Sequence, residues 1–376
     1  QFMKVLIAAG GTAGHINPAL AIAGEIKARC PQAEVHFAGR KKGMEYGLVT
    51  RAGYPFHPIE VNGIQRKLTP KNVVRNAVAL YHLALSAPRA AAILNEVQPG
   101  LVIGAGGYVS GPVVQAAQRR GIPTAIHEQN AFPGVTNKIL AKHASAVLAA
   151  MPDAVERLGA PERTVVVGNP VRAEMFRADR AAARRALGVQ PGQIVIVSFG
   201  GSLGAQVLNE RVADLAVWEL ANRNFRHIHA TGSIEKADFA ALSEKLGIAH
   251  DKRFEIREYI DDMPALLAAA DLVISRAGAL TLAEISAVGR ASVLIPSPNV
   301  AENHQYHNAM QLAKLGAAVV LEEKQLTGDV LVQTVDSLTQ DPARLLEMGA
   351  KARALAQPDS LERIWRELEK ICNLNT

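Results

Sequence analysis

Short apolar runs rich in β-branched residues alternate with helical patterns along the whole chain. KVLIAAG, EVHFAG, LVIGAGG, TAIHEQ and TVVVGNP occupy the first half, and IVIVSFGG, FRHIHATG, RFEIREY, LVISRAG and SVLIPS the second. Strands that are apolar on both faces and separated by helices predict parallel sheets covered on both sides. The pattern therefore predicts an α/β chain of two doubly wound, Rossmann-like domains. It stops over GNPVRAEMFRADRAAARRALGVQPGQ, residues 168–193, where a charged, proline-flanked segment intervenes, so the domains are placed at 1–170 and 171–357. FGGSLGA (199–205) echoes AGGTAGH (9–15), each following an apolar strand and opening a helix. The chain thus reads as a tandem of two similar units facing a cleft.

Composition narrows the class. A chain of 376 residues, 49% hydrophobic and 20% charged, has room for two cores and is neither disordered nor fibrous. The uncharged stretch from Val97 to Gln118 is long enough to span a bilayer, but its five glycines and two prolines make it strand, loop and helix. The first strand is expected directly after Met3, which leaves no room for a signal peptide and points to the cytosol. Cys30 and Cys372 are too few for a disulfide framework and lack metal-ligand spacing.

A net charge of +6 suits nucleic acid, anionic lipid or a phosphorylated substrate alike, so its distribution matters more than its total. No acid occurs from Val61 to Asn95, whereas Arg66, Lys67, Lys71, Arg75 and Arg89 are basic, and Val74, Val78, Tyr81 and Leu85 recur at helical spacing. Such a stripe is either a core-facing helix with a solvated basic side or a surface attracted to anionic membrane.

Both glycine turns stand where doubly wound sheets bind ligands, at helix N-termini that offer unpaired N–H groups and partial positive charge. Neither has the spacing of a dinucleotide fingerprint, and no Walker lysine follows. Phosphate binding without an adjacent lysine suggests a diphosphate that leaves with its nucleoside. No aspartate is followed two positions later by another, so the paired-carboxylate site for a metal-chelated diphosphate is missing, and Arg172 with the helix N-terminus at Ser202 is expected to neutralise the charge. His15 either caps or packs against its helix, or serves as a base, a role favoured by the helix N-terminus, which disfavours imidazolium. Glu284 is either a first-turn acid or an acceptor for a ribose diol, and Ala279 and Leu280 bring backbone groups beside it. His304 and Gln305, in ENHQYHN, are expected in a polar loop that reads sugar hydroxyls. His304 and His307 also suit a metal, but no third ligand is nearby.

Taken together, GGTAGHINPALA, GAGGYVSGP, HEQNAFPGVTNK, GNPVR, FGGSLGA, YIDDM, SRAGALTLAEI and ENHQYHNA resemble the MurG family over nearly the whole chain. That family adds N-acetylglucosamine in making the second lipid-linked intermediate of bacterial peptidoglycan. The resemblance implies the B-type glycosyltransferase fold, with acceptor and membrane held by the first domain, donor by the second, and the C-terminal helix, residues 358–376, rejoining the first. It implies inverting transfer from UDP-N-acetylglucosamine to the 4-hydroxyl of muramoyl-pentapeptide on undecaprenyl diphosphate, with no metal, cofactor or nucleic acid. An epimerase or hydrolase of the same fold, or a non-catalytic UDP-sugar-binding subunit, is the alternative.

By the same resemblance, His15 is the general base, with Thr12, Ala13, Gly14 and Asn130 lining the acceptor and sugar. Gly106, Tyr108 and Glu128 fall on the acceptor side. Arg172 and Ser202 meet the diphosphate, and Ile260 and Met263 the uracil. Ala279, Leu280, Thr281, Leu282 and Ala283 meet sugar and phosphates, Glu284 the ribose, and His304 and Gln305 the sugar hydroxyls. Ala13 stands where many members have glycine, and His304 where some have a second glutamine. A lipid acceptor also favours the membrane reading of the 66–85 stretch, placing the protein peripherally on the cytoplasmic face of the cell membrane.

Overall fold

The computed structural model describes residues 3–61, 86–300 and 303–372. The chain forms two units, Gln1–Pro170 with Asp359–Thr376, and Val171–Pro358. The basic, apolar stretch 66–85 lies outside the described residues.

In the first unit β1 (Lys4–Ala8), β2 (Glu34–Gly39), β3 (Phe56–Pro58), β4 (Leu101–Gly104), β5 (Thr124–Glu128), β6 (Ala146–Ala149) and β7 (Thr164–Val166) form one parallel sheet in the order β3-β2-β1-β4-β5-β6-β7. In the second, β8 (Val195–Phe199), β9 (Arg226–Ala230), β10 (Phe254–Arg257), β11 (Leu272–Ser275), β12 (Ala291–Leu294) and β13 (Ala318–Val320) take the order β10-β9-β8-β11-β12-β13. Strand order reverses direction between β1 and β4 in one sheet and between β8 and β11 in the other. Loops leaving the carboxyl ends of neighbouring strands diverge at such a switch and make room for a ligand.

The central strands are buried on both faces: β1 sends Val5 and Ile7 into one apolar layer and Leu6 and Ala8 into the other. β3, β6 and β13, absent from the strand pattern of the sequence, are FHP, AVLA and AVV. Two are three-residue edge strands and the third is half alanine, so none is long enough for a periodic signal. The Ser360–Ile371 helix belongs to the first unit, where Ile364, Trp365 and Leu368 pack with Ile22, Ile26 and Val35.

Candidate functional site

In the first unit the turn after β1 runs through Gly11 (φ +90) and Thr12 into the Ala13–Arg29 helix. His15 is therefore the third residue of that helix, and Ala13 and Gly14 are the first two. Its Nδ1 lies 3.1 Å from the Gly10 carbonyl oxygen and 3.3 Å from Thr12 Oγ1. A carbonyl only accepts, so the Gly10 contact places the proton of a neutral ring on Nδ1 and the lone pair on Nε2.

The loop after β4 closes on this ring. A Cβ on Gly106 would lie 2.5 Å from His15 Cδ2, and one on Gly107 2.2 Å from the Gly10 oxygen. Only glycine lets the two loops approach this closely, and both residues have positive φ. Buried Ser110 sews them together: its Oγ accepts the Gly106 N–H at 3.1 Å and stands 2.9 Å from the Ala8 carbonyl. Tyr108, next in the loop, is exposed.

The loop after β5 is organised by Glu128, buried at the strand end. Its Oε1 accepts the N–H and side-chain amide of Asn130 at 2.9 and 3.1 Å; its Oε2 accepts Asn137 Nδ2 at 2.8 Å and the Gly134 N–H at 3.2 Å. Burial pushes this carboxyl above its ordinary range, against the pull of those four hydrogen bonds. Its oxygens are thus engaged within the chain, and Glu128 shapes the acceptor-side loop that carries Asn130. Beside it, His127 donates Nε2–H to the Gly168 carbonyl at 3.0 Å and receives Gln129 Nε2 on Nδ1 at 2.9 Å. Burial lowers this imidazole to about 4, with a smaller push from nearby His15, so it stays neutral.

In the second unit the turn after β8 includes Gly201 and Gly204, both at positive φ, and its helix begins only at Gln206. Ser202, expected at a helix N-terminus, is instead an exposed turn residue whose carbonyl accepts the Ser233 N–H at 3.1 Å. The helix after β11 begins at Ala279 with Gly278 as its N-cap, so Ala279, Leu280 and Thr281 present first-turn N–H groups at the carboxyl end of the sheet. Leu282 does not join them: its side chain is in the core and its N–H is bonded to the Gly278 carbonyl. Ala283 is partly buried against the same core.

Glu284 is the sixth helical residue, so the first-turn explanation of its acidity fails. Burial raises its carboxyl to about 7, opposed by the charge of Arg172, the exposed N-cap residue of the Ala173–Arg177 helix. Ile260 lies in the apolar core while Met263, the first residue of its helix, is partly buried.

His304 and Gln305 are not in a loop. Asn303, at φ 49, turns the chain directly into the His304–Ala313 helix. Gln305 Oε1 accepts the Ser297 N–H at 2.9 Å and the Ala277 N–H at 3.3 Å, fastening the loops after β12 and β11 and leaving the amide NH2 as the group to offer a ligand. Among the described residues, no three His, Cys, Asp or Glu side chains gather in a metal-binding group.

The buried partners Ser110, His127 and Gln129 escape sequence reasoning because their bonds to Ala8, Gly168 and Ala105 join segments distant along the chain, and Asn137 because its bond to Glu128 spans nine positions with no fixed period. The HEQN run was the available signal: its three side chains other than Asn130 are buried at one strand end.

Residues 5–149 match the glycosyltransferase family 28 N-terminal domain and residues 195–364 its C-terminal domain. The chain is 42% identical over 98% of its length, and 98% of the relative's, to the UDP-N-acetylglucosamine--N-acetylmuramyl-(pentapeptide) pyrophosphoryl-undecaprenol N-acetylglucosamine transferase of Acetivibrio thermocellus. The enzyme of that name from Desulforudis audaxviator is 40% identical over all of both chains. Among solved structures, MurG of Acinetobacter baumannii superposes with a TM-score of 0.76 at 30% identity, covering 98% of this chain and 99% of that one. A UDP co-structure of MnaA from S. aureus, 12% identical with a TM-score of 0.71 over 99% and 98% of the two chains, shares the fold alone. Two parallel α/β units, with seven and six strands among the described residues, family 28 matches in both, and such identity over whole chains make this protein a member of the MurG family of N-acetylglucosaminyltransferases.

Proposed function

We propose that the chain moves N-acetylglucosamine from UDP-N-acetylglucosamine to the 4-hydroxyl of muramoyl-pentapeptide on undecaprenyl diphosphate, with His15 as the base. The acceptor oxygen bonds to the sugar's C1 as the C1–phosphate bond breaks, UDP leaves with the electron pair, and His15 Nε2 takes the hydroxyl proton. One observation carries this: His15 Nδ1 lies 3.1 Å from the Gly10 carbonyl, a group that only accepts, which supports a neutral ring whose basic nitrogen is Nε2. On the donor side, the N–H groups of Ala279 to Thr281 and the charges of Arg172 receive the diphosphate, Ser202 caps it, Glu284 takes the ribose, and Gln305 with His304 the sugar. Ile260 contributes backbone, and Met263 its side chain, to the uracil. Thr12, Ala13, Gly14, Gly106, Tyr108 and Asn130 line the acceptor side.

The epimerase or hydrolase reading needs a carboxylate for proton transfer, and Glu128 already receives four hydrogen bonds from Asn130, Gly134 and Asn137. The test is UDP release from UDP-N-acetylglucosamine, with and without lipid-linked muramoyl acceptor, in wild type and His15→Ala. Acceptor-dependent release that falls about a hundredfold or more in the variant, with UDP still bound, supports the reading. Release without acceptor, or an undiminished variant, overturns it.

Docking on anionic lipid at the cytoplasmic face of the membrane through residues 66–85 is part of the same reading. It rests on the basic, apolar sequence there and on a lipid-linked acceptor. Among the described residues no helix is long and apolar enough to cross a membrane. Wild type should sediment with anionic but not neutral vesicles, and replacing Arg66, Lys67, Lys71 and Arg75 by glutamate should abolish it; equal binding to both vesicles would refute it.

A further inference from the structure

Behind the first glycine turn lies Glu45, the second residue of the Met44–Arg51 helix, its side chain 1% exposed. Oε1 accepts the Arg40 N–H at 2.9 Å, and Oε2 the Gly11 N–H at 3.5 Å. Glycine makes the space: a Cβ on Gly10, Gly39 or Gly43 would come within 2.8, 2.8 or 2.2 Å of Glu45 atoms. A buried carboxyl ringed by three glycines and met by two backbone donors is a fitted group, since a buried polar side chain without partners is costly.

The Gly11 N–H that Glu45 receives belongs to the same peptide unit as the Gly10 carbonyl that faces His15. That peptide is trans, so its N–H and C=O point in opposite directions, one at Glu45 and the other at the imidazole. An amide hydrogen-bonded at its N–H becomes a stronger acceptor at its oxygen. The arrangement matches a carboxylate–histidine pair in its logic, with one peptide group interposed.

We propose that Glu45 is a positioning residue for His15, acting through the peptide between Gly10 and Gly11 to hold the imidazole proton on Nδ1 and keep the lone pair on Nε2. The inference rests on the reading of His15 as base, but the tautomer it specifies is measurable without turnover. Among the described residues, His127 of β5 interacts electrostatically with this ring and is itself neutral, whereas Glu45, from the helix after β2, meets the far side of the Gly10–Gly11 peptide.

Nitrogen-15 NMR of histidine-labelled protein, with His15 assigned through His15→Asn, should show a protonated Nδ1 and an unprotonated Nε2 in wild type near pH 8. Glu45→Gln should mix the tautomers, lower kcat roughly tenfold with KM for UDP-N-acetylglucosamine within about twofold, and move the acidic limb of the kcat profile to lower pH. A wild-type ring protonated on Nε2 would overturn the proposal, and it decides even if the variant does not fold. A folded Glu45→Gln enzyme with the wild-type tautomer and pH profile would overturn it too. Should His15→Ala keep its turnover while the tautomer responds to Glu45, it is the base assignment that fails and the coupling that stands.

Discussion

The guanidinium of Arg29 lies 5.4 Å from the centroid of the Trp365 ring and pairs with Glu362, so the first helix of the chain is tied to the last. The contact is partly exposed and contributes modestly, about 0.5–1 kcal/mol. Most of the tie is apolar, because Trp365, Ile364 and Leu368 are each at most 4% exposed.

Trp365→Ala should therefore cost roughly 3–5 kcal/mol, as for other buried aromatics. The chain has two tryptophans, Trp218 and Trp365, one in each unit. In the variant, circular dichroism should report an earlier thermal transition that Trp218 fluorescence does not follow. Coincident, unshifted transitions would show that the last helix adds little to the first unit.

Gln305→Glu separates two roles of one side chain. A glutamate still accepts from Ser297 and Ala277, so the fold should be kept, but the amide donor is lost. KM for UDP-N-acetylglucosamine should rise roughly tenfold, the worth of one good hydrogen bond, while UDP alone binds as before. A matching loss of UDP affinity would mean that the side chain serves only the loops.

Glu284 makes the second unit sensitive to neutral pH. Its folded carboxyl titrates near 7 against 4.5 for the free group, so the folded state holds the proton where the unfolded state has lost it. Stability must then fall as pH rises between those values, by up to about 3 kcal/mol. Urea unfolding followed at Trp218 should show this slope in wild type and lose it in Glu284→Gln. UDP binding should run oppositely, tightening roughly fivefold from pH 6 to 8 as the carboxylate forms and can accept from a ribose diol.

Two buried imidazoles impose the reverse slope in acid. His127, lowered to about 4, and His229, lowered to about 3, are held neutral chiefly by burial. Unfolded histidine takes a proton below about 6.5 where these cannot, so stability drains as pH falls from there toward their folded values. His229→Phe should flatten the acid slope of the Trp218 transition; an unchanged slope would place the proton uptake elsewhere.

Much of this fold was legible because the central strands are buried on both faces and read as unbroken apolar runs, as KVLIA and LVIS do. β3 and β13, edge strands of three residues, carry no such period. Helix starts were harder. The glycine turns marked where ligands approach, yet Ser202 stands four residues ahead of its helix, while His304 begins one because Asn303 reverses the chain in a single left-handed step. Leu282 followed in sequence from its neighbours but turns inward with the helix period. Glu45 was silent, since its role exists only once the turns after β1 and β2 are side by side.

The return of the last helix to the first unit has a consequence for synthesis on the ribosome. One face of the first sheet is completed by residues 360–371, which emerge some 190 positions after that sheet's last strand. At about 5–20 residues per second, that layer waits on the order of 10–40 seconds for its cover, long enough for the intervening second unit to fold first. Throughout that interval Ile22, Ile26 and Val35 lack their final partners, so the nascent chain offers chaperones and proteases a defined apolar face that the finished protein conceals.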